Sequence, residues 1–178
     1  MEDYSNNYIN DYTNEYLASH DIDWFCIIND TPIHAASNEG DLPYNIKHNA
    51  LKNRENQNYA FSREYKYNFN EIEINFNQLN RIIKTPEDYS PFEIIEMKNN
   101  YLRTFIDMAR RGFYSYDRFE YKEFEDFKYV LVAYPKIFKP SYNHLICTGL
   151  QCVNTSMENV CFEDIDTFKA LKFVDIKI

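Results

Sequence analysis

The sequence predicts an α+β fold: one domain over residues 1–178, with a mixed or antiparallel sheet packed against a long central helix at about 91–111. Three observations carry this. Ser90-Pro91-Phe92-Glu93 is a helix start signal, and apolar residues follow it at helical spacing as far as Gly112. Tyr129-Val130-Leu131-Val132-Ala133-Tyr134 is apolar on both faces, as a central strand is. The other strand and helix patterns lack the regular alternation of a doubly wound sheet. With 178 residues, 44% of them apolar, the chain can bury one full core but not two.

In chain order, Tyr4, Tyr8, Tyr12 and Tyr16 recur every fourth residue beside Ile9 and Leu17, so a helix over 3–19 would gather the rings on one stripe. The Asn, Ser and Thr between them are poor helix formers, and residues 1–20 read equally as an acidic, tyrosine-rich arm. Residues 24–28 form an apolar run bounded by Asp23 and by Asn29-Asp30, the pattern of a short buried strand. Residues 42–62 suit a polar helix around Ile46, Ala50 and Leu51. Tyr65, Tyr67 and Phe69, then Ile72, Ile74 and Phe76, alternate with polar residues, which predicts a bulged strand or hairpin with one buried face.

At the long helix, Ser90 caps, Pro91 occupies the first position and Glu93 completes a capping box; a left-handed Gly112 would end it and fold Phe113 back on Met108. Pro135 and Pro140 close the strand that follows. A short strand is expected at 144–148, a short helix at 162–171 and a last strand at 173–178. With three Gly in the chain, tight turns fall to Asn and Asp, which tolerate left-handed backbone.

Residues 31–40, Thr-Pro-Ile-His-Ala-Ala-Ser-Asn-Glu-Gly, resemble the first helix of an ankyrin repeat. Nothing similar recurs near 64 or 97, and one repeat cannot bury its own face, since about three copies are needed for stability. The resemblance carries no ankyrin function to this chain.

Charge is distributed unevenly. Residues 1–46 hold nine Asp and Glu and no Lys or Arg, so the whole formal charge of −9 sits at one end. Such asymmetry repels nucleic acid and anionic membrane and attracts basic protein surfaces at long range. Asp3, Asp11, Glu15, Asp21 and Asp23 are candidates for steering a partner, and Tyr4, Tyr8, Tyr12 and Tyr16 for anchoring it. The expected function is non-catalytic: an acidic protein-binding protein of the inhibitor or immunity type, docking on a basic surface of a nucleic-acid-acting, toxin or defence protein. Sixteen Tyr and fourteen Phe also suit self-association, although joint enrichment of Asn, Ile, Tyr, Phe and Lys follows from an AT-rich coding sequence.

The alternative is an enzyme or sensor. Arg110, Arg111, Tyr114, Tyr116, Asp117 and Arg118 put three guanidinium groups and two phenols close in sequence, a set able to clamp an anionic small molecule or nucleotide. The plainer account is that arginines complement a helix C-terminus and Asp117 pairs with Arg118.

Other chemistry is poorly represented. Gly40, Gly112 and Gly149 are isolated, so the phosphate-binding loop, the dinucleotide fingerprint and the Gly-x-Ser-x-Gly elbow are all missing, as is HExxH. No cofactor and no metal are expected. Cys26, Cys147, Cys152 and Cys161 include no CxxC pair and read as reduced thiols. Cys26 would face His34 only in a hairpin register that sets Ile28 against Pro32. His20, Asp21, Asp23 and His34 can ligate a divalent ion, but a capped turn before residue 24 is the simpler reading. The aromatic alternation at 65–69 can stack bases, yet its near-neutral surroundings favour a core-facing sheet. There is no secretory signal and no run of roughly 20 apolar residues to span a bilayer, so a cytoplasmic location is expected.

Overall fold

The computed structural model describes residues 10–28, 30–76, 88–118, 127–137, 139–150, 160–163 and 170–172. The sheet grows from a hairpin. Strands β1 (Asp23–Ile28) and β2 (Thr31–Ala36) pair antiparallel with Ile28 opposite Thr31. Two residues lie between them, and Asp30 takes the left-handed φ of 60° that such a connection requires. Asn38 and Glu39, at φ 51° and 53°, turn the chain after β2, and Gly40 closes that turn by donating to Ser37 O at 3.1 Å. Pro32 sits opposite Ile27, next to the hydrogen-bonded pair beside the turn. Its missing N–H faces away from β1, where the next strand joins only from Ile33 onward.

That next strand is β4 (Tyr114–Arg118), parallel to β2. β5 (Phe127–Pro135) pairs antiparallel with β4. The other edge of β5 is shared: β3 (Ile72–Ile74) lies opposite 133–135, and β6 (Val160–Glu163) runs parallel to 127–129. β7 (Ala170–Lys172) pairs antiparallel with β6. The sheet is therefore mixed, in the order β1-β2-β4-β5-β6-β7 with β3 beside β5.

Among the described residues the helices are α1 (Asn14–Leu17), α2 (Tyr44–Lys47), α3 (Ala50–Ser62), α4 (Pro91–Arg110) and α5 (Pro140–Gly149). Strand alternation divides the core. Trp24, Cys26, Ile33, Ala35, Tyr116 and Leu131 pack on one face with Leu42 and Ile46, and Leu102, Phe105 and Ala109 of α4 cover the other. α3 docks through amides: Asn53 and Gln57 each donate to the Asp23 carbonyl at 2.8 Å, covering edge strand β1. The fold is α+β, with one long helix packed on the sheet.

Both ends of α4 are locally determined. The Ser90 N–H donates to Glu93 Oε2 at 2.8 Å and the Glu93 N–H to Ser90 Oγ at 3.4 Å; bonds from the Ser90 hydroxyl and N–H hold the Glu93 carboxyl below its ordinary pKa. At the other end Gly112, at φ 100°, donates to Ala109 O (2.9 Å), and Phe113 donates to Met108 O (3.1 Å), the paired bonds of a Schellman stop. A Cβ on Gly112 would meet Ile146 Cδ1 and Tyr142 Cε1 at 2.8 Å. Gly112→Ala is thus expected to cost about 2–3 kcal/mol in urea unfolding, from the left-handed backbone and overpacking together; a loss below about 0.5 kcal/mol would show that the turn relaxes freely.

Several expectations are corrected. The ankyrin-like segment is a strand, β2. Of the helix expected over 3–19, only Asn14–Leu17 is helical among the described residues; 1–9 lie outside them. The alternation at 65–71 does not make a strand. Lys66 and Tyr67 both donate to Arg110 O (2.8 and 3.1 Å), and Phe69–Glu71 is a single 3-10 turn in which Glu71 takes the Asn68 N–H at 2.8 Å. The strand expected at 144–148 is helix α5, which Pro140 starts rather than blocks. The helix expected at 162–171 is replaced at both ends by β6 and β7, with Phe162 opposite Leu171; residues 164–169 and the strand expected at 173–178 fall outside the described residues. Among the described residues, no helix is long and apolar enough to cross a membrane.

Candidate functional site

β2 and β4 end side by side, with Ala36 opposite Asp117, and Asp23 opens β1 on the far side of Ala36. α4 passes over this edge and contributes Tyr101, Thr104 and Phe105. With Asp21 and Asn38 these residues line a cleft of about 280 Å³. The carboxyl ends of parallel strands are where open sheets hold ligands.

Three carboxyl groups converge here, each with an oxygen tied to a protein donor. Asp21 Oδ1 accepts from the Asn38 N–H (2.7 Å) and the Ser37 hydroxyl (3.2 Å). Asp23 Oδ1 accepts from His34 Nε2 at 2.9 Å. Asp117 Oδ2 accepts from the Tyr101 hydroxyl at 2.5 Å and Oδ1 from the Arg118 N–H at 2.9 Å. Asp117 is 3% exposed, and burial pushes its pKa from 3.8 to about 7, with the Asp21 charge adding to the rise and the Tyr101 bond opposing it. Asp21 is exposed over much of its surface, but its carboxyl sits against Ser37 and Asn38, and lost hydration there raises its pKa, with the Asp23 charge contributing. Burial and then the Asp117 carboxylate push the Tyr101 phenol up, so it stays a donor.

A polar chain backs Asp23. His34 is fully buried between Asp23 and Ser115, with Nδ1 2.6 Å from Ser115 Oγ. A carboxylate only accepts, so Nε2 donates to Asp23, and Nδ1 and the Ser115 hydroxyl share the second hydrogen bond. These are the residue types of a hydrolytic triad. Ser115, however, is fully buried and does not line the cleft, so no substrate reaches its oxygen. These two hydrogen bonds hold His34 in place and so orient Asp23.

Of the partner-binding candidates, Asp21 and Asp23 meet in the cleft. Asp3, Tyr4 and Tyr8 lie outside the described residues. Asp11 pairs with His48 Nδ1 at 3.1 Å. Tyr12 turns inward, 5% exposed, and its hydroxyl accepts from Asn53, because it precedes α1 instead of sharing a helical stripe with Tyr16. Glu15 is exposed, and Tyr16, 42% exposed, stacks on His20 at 3.9 Å. His20 is thereby held away from Asp23 and His34. No group of three or more His, Cys, Asp or Glu among the described residues is arranged to hold a metal ion.

The anion-binding candidates do not converge. Along β4, Tyr114, Tyr116 and Arg118 point to one face, and Ser115 and Asp117 to the face under α4. Tyr116 is core and Tyr114 stacks on Tyr134 at 5.7 Å. Arg118 Nη1 donates to Asp41 O at 2.8 Å, so the Asp117 and Arg118 side chains do not pair. Arg110 and Arg111 lie at the other end of β4, bound to the carbonyls of Tyr67 and Arg63. The Cys26–His34 pairing is likewise ruled out, since the register sets Phe25 against His34 and Cys26 against Ile33.

Sequence reading missed Asp117 and Tyr101 as partners of Asp21 and Asp23, and Ser115 as the partner of His34. His34 and Ser115 are 81 residues apart and meet only through the β2–β4 register; the one local signal was the strand alternation that places His34 on the α4 face. No family model matches this chain, and no curated protein or solved structure matches it either.

Proposed function

We propose that this is a non-catalytic acidic protein that docks on a basic protein surface by receiving a lysine or arginine of the partner in the cleft. This is a mode suited to an inhibitor or immunity-type protein acting in the cytoplasm on a nucleic-acid-acting, toxin or defence protein. The observation that supports it is the cleft itself: among the described residues Asp21, Asp23 and Asp117 line it and no Lys or Arg does. Each carboxyl is oriented by a hydrogen bond from a protein donor. Tyr101 and Phe105 supply a wall for the methylene stem of a long cationic side chain. Acidic residues earlier in the chain add attraction at a distance, raising the rate of encounter and suppressing wrong partners.

The test is titration of a labelled lysine-rich peptide followed by anisotropy. Asp21→Asn with Asp23→Asn is expected to weaken binding at least about tenfold, a loss of about 1.4 kcal/mol or more, and to flatten its salt dependence. Equal binding by the double variant, or affinity that ignores salt, would remove the cleft from recognition.

A further inference from the structure

Basic side chains gather at the other end of β4, where Asp107 accepts from the Tyr65 hydroxyl at 3.1 Å. Residues 63–69 wrap the C-terminus of α4 and gather Arg63, Lys66, Arg110 and Arg111, with Arg111 Nε donating to Arg63 O at 3.0 Å. None of the four is in an ion pair among the described residues. Aromatic rings hold them instead. The Arg110 guanidinium lies 3.8 Å from the Tyr65 ring centre and 4.1 Å from that of Phe69, and Arg111 lies 4.4 Å from Tyr65. A ring orients a guanidinium without cancelling its charge, which a carboxylate would do. Tyr65 is 45% and Phe69 66% exposed, so this clamp stands at the surface. Among the described residues the Arg110 side chain makes one hydrogen bond, from Nε to Tyr67 O at 3.4 Å. Its two Nη groups keep their donors for an incoming carboxylate.

We propose that copies of this chain associate head to tail, the Arg110–Tyr65–Phe69 clamp of one copy docking on the acidic surface around Glu15, Tyr16 and Asp21 of the next. The chemistry is complementary on both sides: exposed carboxylates at Glu15 and Asp21 with the exposed Tyr16 ring, against unneutralised cations with exposed rings. Tyr101, at the cleft, and Arg110, in the clamp, are nine residues apart on α4, roughly 14 Å of helix. That exceeds the screening length of about 8 Å at physiological salt, so contacting charges attract while the remote ends of two net-negative molecules are screened. A nucleic acid strand offers stacking and phosphates to the same clamp, but a chain of net charge −9 repels it along its length. Because the two surfaces differ and lie at separate ends of α4, the contact proposed is heterologous, head to tail. The proposal shares Asp21 with cleft recognition of a basic partner and goes beyond it by naming the clamp of a second copy as an occupant.

Sedimentation velocity of the full chain over a concentration series provides the test. The weight-average coefficient is expected to rise with concentration at about 0.1 M salt and to return to the monomer value at about 1 M, as the screening length falls from about 10 to about 3 Å. Arg110→Glu and Asp21→Lys are each expected to remain monomeric, with association weakened at least about tenfold by like-charge contact. Their equimolar mixture restores association, because the native contact between Arg110 and Asp21 forms again and the two reversed charges attract each other. Circular dichroism confirms that each variant is folded, and Phe69→Ala, at an exposed position, weakens the clamp independently. A wild-type chain that stays monomeric at low salt, or a folded mixture that stays monomeric, overturns the proposal. Binding of labelled oligothymidylate that Arg110→Glu abolishes would instead make the clamp a nucleic-acid surface. The lysine-peptide titration on the same Arg110→Glu sample reads the cleft alone, which separates failure here from failure of the cleft reading.

Discussion

Asp117→Asn is expected to flatten the pH dependence of stability by about 4 kcal/mol between pH 4 and pH 8, and to leave the variant the more stable protein at the alkaline end. Below the unfolded value near 3.8, Asp117 is protonated in both states and has no effect. Between there and about 7 the unfolded chain ionises while the folded chain keeps its proton. Unfolding then releases a proton, so stability falls as pH rises, and the fall is complete above the folded value. About three pKa units at about 1.4 kcal/mol each give the magnitude. Asn cannot ionise and escapes this loss, but its amide must find an acceptor and Tyr101 loses a charged partner, which returns about 1–3 kcal/mol. The net gain at pH 8 is therefore about 1–3 kcal/mol, and the variant is the weaker protein at pH 4. Asp21, raised as well, and Glu71 and Glu93, lowered by hydrogen bonds, titrate in both proteins and largely subtract out. Urea unfolding at pH 4, 6 and 8 decides the matter; parallel curves would show that Asp117 keeps its charge in the fold.

Trp24→Ala should be the most damaging single truncation, at about 3–5 kcal/mol. The indole is fully buried and meets the Tyr129 ring edge-on at 5.2 Å and 78°, linking edge strand β1 to the centre of the sheet. For a chain of this size the thermal midpoint drops by roughly 6–20 °C, a large part of a typical stability of about 5–15 kcal/mol. Because Asp23 precedes Trp24, the cleft should loosen as well, and peptide affinity measured at a temperature where the variant is still folded should fall. A midpoint within about 2 °C of wild type would mean that β1 is held from elsewhere.

The fold was legible wherever the determining contacts are local. Ser90 with Glu93 and Gly112 with Phe113 fix the two ends of α4 within a few residues of chain, and Tyr129 to Ala133 declare a central strand by being apolar on both faces. Reading failed where a distant group takes the backbone donors, as Arg110 O does at Lys66 and Tyr67. It failed again at α5, where five apolar-rich residues fit either period and Pro140 can end one element or begin another. For the site, nine acidic residues were countable, but their destinations were not. Asp21 and Asp23 reach the cleft, Asp41 pairs with Lys47 at 2.7 Å, and Asp30 sits at the hairpin tip at the opposite end of β1. The third carboxyl, Asp117, comes from a segment that sequence reading grouped with arginines, and one-residue alternation along β4 separates it from Arg118.

The parallel pairing of β2 with β4 also sets a timetable for biosynthesis. The first hairpin leaves the ribosome long before its inner neighbour exists, since Ser115 follows His34 by 81 residues. At roughly 5–20 residues per second that interval is roughly 4–16 s. Throughout it, β2 presents an unpaired edge and a histidine without its serine, conditions that invite strand addition from other nascent chains. Recovery of intact protein from a producing cell should therefore depend on translation speed and chaperone supply more than on the equilibrium stability of the finished molecule.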